Sequence, residues 1–462
     1  MLFNSFEFIF VFLPIVFVLY FALNKIHPTG GMLLLLAASL FFYAWWNPAY
    51  LSLLVASVLV NYSVGTAMMK KTRHRKRLLT VGIFFNVGLL GYFKYTDFFI
   101  ENVNALVGTN FQLLHLLLPL AISFYTFQQI AYLVDIYKGK VEDNRFINYA
   151  VFVSFFPQLI AGPIVHHSEV MGQFSDSSKK RIHAENIAKG LFIFSLGLFK
   201  KVAIADTFAV WANEGYSNVD ALTGSEAWMT SLAYTFQLYF DFSGYSDMAI
   251  GLALLFNIAL PINFNSPYKA VSIQDFWRRW HITLSRFLTA YLYIPLGGSR
   301  KSIPRTYVNI FIIFFVSGIW HGAGWTFVIW GVLHGLAMIV HRFWSQRGFR
   351  LPTLVAWFVT FQFVNATWVF FRALTVEDAL VVLSKMTDIS SLTAPLTLFS
   401  SQPSELAIYT LGAALVAFFV KNSFAWMQDL KPNPAYAIVA GGMFLYVALK
   451  LQQVSEFLYF NF

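Results

Sequence analysis

The 462-residue sequence contains no cysteine and little charge. The lack of cysteine excludes structural disulfides, a thiolate nucleophile and an acyl-cysteine intermediate on this chain. Charged residues make up 12% of the chain, against about 25% in typical soluble domains. Hydrophobic residues make up 58%, and phenylalanine, with 52 residues, leads the excess. Because apolar runs recur from end to end, the composition indicates an integral membrane protein with a single domain over residues 1–462.

About fourteen apolar runs are distributed along the chain, but several are short or are broken by proline, glycine or charge. A helical crossing needs roughly 20 residues. We therefore expect about eleven transmembrane helices, together with re-entrant or interfacial helices. Backbone broken at membrane depth is stable only where protein or a water-filled cavity covers it, so the short runs favour a cavity. The first run, near Phe6–Leu23, lacks the features of a cleaved signal peptide and is predicted to be a retained span.

The basic run KKTRHRKR (Lys70–Arg77) follows the third apolar run and contains no acidic residue. The positive-inside rule predicts that it lies in the cytoplasm, and counting back three crossings places the N-terminus outside. A patch that binds lipid headgroups would lie on the same side. The net charge of +10 is typical of cytoplasmic loops in such a protein, so we expect no nucleic-acid partner.

A histidine lies among tryptophans and glycines in GIWHGAGW (Gly318–Trp325), directly after an apolar run. Glycine lets another chain or a ligand approach the backbone closely, and Trp320 and Trp325 can form apolar walls. An imidazole at membrane depth is costly and tends to face a cavity or a partner. His321 is therefore a candidate catalytic residue, and the alternative is a buried histidine bonded to a carbonyl group. His115 and His334 are predicted to be hydrogen-bonded packing residues.

The segment FWRRWHITLSRFLTAYLYIPLGGSRK (Phe276–Lys301) combines basic and aromatic residues. A continuous helix would place four of its residues on one face by i, i+3 and i+4 spacing: Trp277, Arg278, His281 and Ser285. Asp275 can pair with Arg278 or Arg279. Such a strip suits the phosphates and adenine of a coenzyme, but an amphipathic helix at the membrane interface fits the composition equally well.

Polar residues also interrupt the run YTFQLYFDFSGYSDMAIGLAL (Tyr234–Leu254). Because Asp241 and Ser243 are too close in sequence to share a helical face, we predict that FSGYS breaks or bends the helix. A polar seam between helices is favoured over catalysis here. Asp206, near Lys200 and Lys201, is interpreted as part of a structural ion pair. The histidines lack metal-site spacing, and no P-loop, HExxH or GxSxG motif is present, so no metal is expected.

Several of these segments resemble the membrane-bound O-acyltransferase (MBOAT) family, and within it the bacterial branch that contains the membrane subunit of alginate O-acetyltransferase. In chain order they are LIAGPI (Leu159–Ile164), YFDFSGYSDMAIG (Tyr239–Gly251), FWRRWHITLSRFLTAYLYIPLGG (Phe276–Gly298) and WHGAGWTFVIWGVLHG (Trp320–Gly335). The resemblance extends from the first apolar run to the C-terminal FLYFNF.

The resemblance implies an all-α polytopic fold, in which a ring of about eleven transmembrane helices surrounds shorter re-entrant helices and forms a funnel. It implies that His321 is catalytic and that His281, where other branches carry Asn or Asp, is the second polar residue of the active site. Trp277, Arg278, Arg279 and Arg286 are expected to bind the coenzyme. Asp241, Ser243 and Asp206 are expected to support the site.

The same resemblance implies acetyl-CoA as the donor, an extracytoplasmic acetyltransferase partner protein, and an envelope polysaccharide such as alginate, peptidoglycan or a cellulose-like polymer as the acceptor. It places the chain among the lipids of the bacterial inner membrane. Three further functions remain open. One is transfer of D-alanine from a carrier protein to teichoic acids. Another is a transporter with a His/Asp proton relay. The third is acylation of a lipid or a small alcohol.

Overall fold

The chain is helical throughout the part that the structure, a computed structural model, describes. That part comprises residues 1–27, 29–70, 73–399, 403–431, 433–451 and 457–458, and it contains no β-strand. This confirms the all-α class. Lys71 and Thr72 of the basic run and residues 459–462 of the C-terminal motif lie outside the described residues.

The described α-helices are numbered in chain order. They are α1 (Leu13–Ile26), α2 (Gly30–Ala44), α3 (Pro48–Met69), α4 (Arg75–Val107), α5 (Ile122–Tyr137), α6 (Phe146–Ser154), α7 (Phe156–Leu159), α8 (His167–Ser175), α9 (Ala184–Phe199), α10 (Asp206–Tyr216), α11 (Gly224–Leu255), α12 (Ile273–Arg279), α13 (Ile282–Leu288), α14 (Ile303–His321), α15 (Trp325–Gln346), α16 (Thr353–Arg372), α17 (Val376–Thr387), α18 (Pro403–Phe419), α19 (Ser423–Asp429) and α20 (Pro434–Ala448). π-Helical turns precede α1 (Glu7–Phe12), link α9 to α10 (Lys200–Ala205) and follow α13 (Thr289–Tyr293).

Six helices of the described chain are long and apolar enough to cross a membrane. They are Glu7–Ile26, Pro48–Met69, Arg75–Val107, Ile303–His321, Trp325–Gln346 and Thr353–Arg372. A bent pair, Ser404–Phe419 and Ser423–Asp429, makes a seventh if it is one span, and α2 and α20 are shorter apolar helices. A polytopic membrane protein is confirmed, whereas the number of about eleven crossings stays a prediction.

Two compact units divide the chain, and each is discontinuous in sequence. Unit 1 is drawn from residues 1–198, 245–262 and 429–462, and unit 2 from residues 199–244 and 263–428. The boundary inside α11 falls after Gly244. A single domain over residues 1–462 stays a prediction.

Phenylalanine side chains form part of the core of unit 1. Phe3, Phe8 and Phe42 are fully buried, and their ring centroids lie 5.0–5.7 Å apart. Phe156 packs edge-on against Phe12 at 5.3 Å. Aromatic pairs at these distances add to the free energy gained by burying their surface.

Two buried amides of unit 1 pair with each other. The amides of Asn61 and Asn86 exchange hydrogen bonds between α3 and α4, at 3.2 and 2.6 Å. Polar side chains within helices at membrane depth need such partners. His167 is also buried, with its Nδ1 3.3 Å from Asp135 Oδ2.

A cavity of about 680 Å³ lies within unit 1. Its walls come mainly from α1, α9 and α20, and they are almost entirely apolar. The short apolar runs had suggested a cavity. This one contains none of the candidate catalytic residues, since His281 and His321 both belong to unit 2.

Helix α11 runs unbroken from Gly224 to Leu255, so the predicted break at FSGYS is wrong. Asp241 and Ser243 both lie in the helix interior and are nearly fully buried. The break was predicted because residues two positions apart cannot lie on the same face of a helix. The helix instead is covered by protein on more than one face, so residues pointing in different directions can all be buried.

Candidate active site

His321 is the last residue of α14, and an aromatic box surrounds its side chain. The imidazole is 2% exposed. Its ring centroid lies 4.9 Å from that of Trp320, 5.0 Å from Trp330 and 5.1 Å from Phe371. Gly322 then takes an extended conformation and ends the helix. The chain therefore stops α14 at the residue that was predicted to be catalytic.

The walls of this box differ in part from those expected. Trp320 is a wall, as predicted, but Trp325 begins α15 with 56% of its surface exposed. Trp330, inside α15, and Phe371, near the end of α16, are walls that the local motif did not identify. Phe371 is fifty positions from His321, and nothing in the sequence near the motif points to it.

The glycines of this region bring α14 and α15 into close contact. A Cβ atom on Gly318 would lie 2.5 Å from the carbonyl oxygen of Phe327 and 3.0 Å from the Cα of Gly331. On Gly322 it would lie 2.2 Å from the ring of Phe327. The close approach expected of these glycines is thus made by the next helix of the same chain.

His281 lies at a break between α12 and α13, so the predicted continuous helical face is wrong. Trp280 is extended, and His281 has φ +44° and ψ +53°, in the left-handed region. An extended segment replaces the lost helical hydrogen bonds. The N–H of Asn265 donates to the carbonyl of Arg279 (2.9 Å), and the N–H of Ile282 donates to that of Asn263 (3.0 Å). Buried backbone groups require such partners.

The side chain of His281 is completely buried among aromatic rings. Its ring centroid lies 4.8 Å from that of Phe242 and 6.3 Å from that of Trp320. Because Trp320 also packs against His321 at 4.9 Å, the two predicted catalytic histidines share one indole neighbour. They are 40 positions apart in the sequence, and the fold of unit 2 brings them to one place.

The four residues expected to bind a coenzyme fall into two groups. Trp277 is buried, and its Nε1–H donates to Nδ1 of His334 at 3.2 Å. Arg278 and Arg286 are exposed. Arg279 is half-buried and pairs with Asp275 at 2.9 Å, which confirms one of the two predicted pairings.

His334 is a packing residue, as predicted. It is fully buried, accepts the hydrogen bond from Trp277 and lies with its Nε2 3.0 Å from Thr367 Oγ1. His115 differs from its prediction. It is exposed in a non-helical segment, and its backbone N–H donates to Asp97 Oδ2 at 2.9 Å.

Lys201, Asp206 and Asp241 form a buried cluster of charges, here called the Lys201 cluster. The lysine Nζ lies 2.6 Å from Asp206 Oδ1 and 2.8 Å from Asp241 Oδ1. The ion pair predicted for Asp206 is confirmed, but the sequence did not reveal that Asp241 shares the same lysine. The cluster ties the start of α10 to α11 and matches the polar seam considered for Asp241. Ser243, two positions further on, is buried in the same helix.

Among the described residues, no group of three or more His, Asp or Glu side chains is arranged to hold a metal ion. The residues near the two histidines are instead aromatic rings, amides and hydroxyl groups. Such a site can exclude water and move a proton at an imidazole nitrogen.

A sequence model described as "MBOAT, membrane-bound O-acyltransferase family" matches residues 137–375. The match covers more than half of the chain and includes both candidate histidines. The chain belongs to the MBOAT family. It is therefore an acyltransferase, and the family predicted from the motifs is confirmed.

Relatives of this MBOAT protein are named for acyl transfer to peptidoglycan, alginate or teichoic acid. The peptidoglycan O-acetyltransferase of Helicobacter pylori is 48% identical, over 100% of this chain and 98% of its own length. A probable alginate O-acetylase of Pseudomonas aeruginosa is 42% identical, over 82% of this chain and 73% of its own. The teichoic acid D-alanyltransferase of Bacillus subtilis is 26% identical over 53% of this chain and 66% of its own.

Proposed function

We propose that this MBOAT protein is an O-acetyltransferase of the bacterial inner membrane. It takes an acetyl group from acetyl-CoA on the cytoplasmic side and delivers it outward for O-acetylation of an extracytoplasmic polysaccharide, such as peptidoglycan or alginate. Its N-terminus lies outside. The observation that carries the proposal is the meeting of His281 and His321 at Trp320, within the region that the family model matches.

The chemistry of the proposed reaction needs a base. A hydroxyl group is a poor nucleophile at neutral pH, and imidazole can take its proton reversibly. His321 fills this role: the proton of the acceptor hydroxyl moves to the imidazole as the oxygen attacks the thioester carbonyl. The proton then passes to the departing thiolate. Such help is worth about 10²–10⁴-fold in rate.

The carbonyl oxygen gains negative charge during the attack and needs hydrogen-bond donors. Backbone N–H groups near the glycines, or His281, are the candidates. The aromatic box of Trp320, Trp330 and Phe371 excludes water, which protects the thioester from hydrolysis.

On the donor side, the exposed Arg278 and Arg286, with Arg279, are proposed to bind the phosphates of the coenzyme, because guanidinium groups match phosphate geometry. Trp277 anchors this segment through its hydrogen bond to His334. Asp206, Asp241 and Ser243 support the fold of the site. On the outer side, an acetyltransferase partner protein is proposed to pass the acetyl group to the polymer.

The test is acetyl transfer by a His321→Ala variant. We expect a loss of at least about 10²-fold in acetyl groups on isolated envelope polymers, at equal membrane levels of the protein. His115→Ala, at an exposed histidine, is the control and should behave like the unaltered protein. Normal acetylation by the His321 variant would contradict the assigned base. Radiolabelled acetyl-CoA that labels no polymer, with label entering from a D-alanyl carrier protein instead, would favour D-alanyl transfer.

A further inference from the structure

Asn263 and His281 form a buried hydrogen-bonded pair in unit 2. Asn263 Oδ1 lies 3.1 Å from His281 Nδ1. The asparagine is 1% exposed and the histidine 0%. Asn263 belongs to none of the motifs that pointed to the site.

Thr283 determines which atom of the Asn263 amide faces the histidine. The backbone N–H of Thr283 donates to the same atom at 3.3 Å, and its hydroxyl lies 2.9 Å away. A backbone N–H can only donate, so this atom is the carbonyl oxygen and not the amide nitrogen. Because an amide oxygen can only accept, Nδ1 of His281 carries a proton.

The location of that proton decides what the other ring nitrogen can do. A neutral imidazole has one N–H, so with the proton on Nδ1, Nε2 has a free lone pair and is an acceptor. Nε2 is buried and has no hydrogen-bond partner among the described residues. Buried polar atoms are nearly always paired in native proteins. The lone pair of Nε2 is therefore available to accept a hydrogen bond from a bound group.

The backbone around His281 is built to hold the ring in this position. A φ of +44° is uncommon for a non-glycine residue. The two backbone hydrogen bonds from the Asn263–Asn265 segment to Arg279 and Ile282 hold this conformation on both sides of the histidine. Residues held in sparsely populated conformations cluster at functional sites. The same short segment thus fixes the backbone and the tautomer.

We propose that Asn263 is a positioning residue that holds His281 with its proton on Nδ1, so that Nε2 accepts a hydrogen bond from the hydroxyl group that receives the acetyl group. The hydroxyl acceptor rests on the proposed function, whereas the tautomer does not. A neutral ring held in this way cannot donate from Nε2. Stabilisation of the oxyanion is therefore left to backbone N–H groups.

The first experiment measures the tautomer directly. The full chain, labelled with ¹⁵N-histidine and held in lipid nanodiscs, is studied by NMR, and a His281→Gln variant assigns the resonance. We expect a protonated Nδ1 and an unprotonated Nε2. A proton on Nε2, or on both nitrogens, at neutral pH would overturn the proposal.

The second experiment removes the acceptor. Asn263→Leu should free the tautomer and lower kcat/KM for acetyl transfer to the acceptor by about 10–100-fold, the range known for loss of the residue that orients a metal-bound histidine. Asn263→Asp keeps an oxygen at this position and should keep the proton on Nδ1. Asn365→Leu is the matched control. It removes a fully buried amide that accepts from Thr235 Oγ1 at 2.7 Å, and it should leave the His281 tautomer unchanged.

The outcomes separate the two proposals. If Asn263→Leu matches Asn365→Leu in both tautomer and acceptor turnover, Asn263 is not a positioning residue. If the unaltered protein transfers no acetyl group to any polysaccharide, the proposed function fails. The tautomer of the unaltered protein then decides the positioning role by itself.

Discussion

Replacing Gly331 by alanine should displace the end of α14 that carries His321. A Cβ atom on Gly331 would lie 2.5 Å from the carbonyl oxygen of Phe314 and 3.0 Å from the Cα of Gly318. Non-bonded heavy atoms prefer about 3.5–4.0 Å, so α14 and α15 would have to separate by roughly 1 Å. Both contact atoms are backbone, so no side-chain rotation can relieve the overlap.

The expected magnitudes follow from this separation. Overpacking costs about 1–3 kcal/mol, offset in part by the higher helix propensity of alanine, about 1 kcal/mol. The larger effect is on activity, because α14 ends at His321. A misplacement of about 1 Å in an active site can cost about 10²-fold in rate.

The assay compares acetyl transfer in membranes, normalised to protein level, with the apparent thermal stability in detergent. Gly88→Ala is the matched control, since it lies inside α4 and a Cβ there meets no atom within 4 Å. That variant should be as active and at least as stable as the unaltered protein. If Gly331→Ala equals Gly88→Ala in both measurements, the close contact of α14 and α15 does not position His321.

Two further predictions concern charge. Lys201→Met should destabilise the protein by about 3–5 kcal/mol, because it removes the lysine with which the buried aspartates of the Lys201 cluster pair. Thermal unfolding in detergent measures the loss, and an unchanged unfolding temperature would contradict the buried pairing. Changing the exposed or half-buried Arg278, Arg279 and Arg286 together to glutamine should raise the KM for acetyl-CoA while leaving membrane insertion intact, and an unchanged KM would remove these residues from the donor site.

Composition and local motifs were sufficient for the class of protein, because membrane helices need long apolar runs whatever their tertiary contacts. The motifs also made His321 and His281 candidates, because their neighbouring residues are distinctive in the sequence. The Asp275–Arg279 and Lys201–Asp206 pairs were visible because the partners are four and five positions apart.

Contacts between segments that are far apart in the sequence could not be predicted from local motifs. Helical periodicity predicted one face through Trp277 and His281, but hydrogen bonds from the Asn263–Asn265 segment hold a break there instead. The same holds for Asp241, whose partner Lys201 lies 40 positions away. In both cases the partner of a polar group lies far away in the sequence.

The interleaving of the two units gives the protein an order of assembly during translation. All of unit 2, including both histidines, is synthesised before the ribosome reaches residue 429, whereas unit 1 waits for α20. Helix α20 is one wall of the apolar cavity in unit 1, so a chain stopped just before Pro434 would leave that cavity open on one side. Such a nascent chain would contain every proposed catalytic residue, although unit 1 would still lack α20.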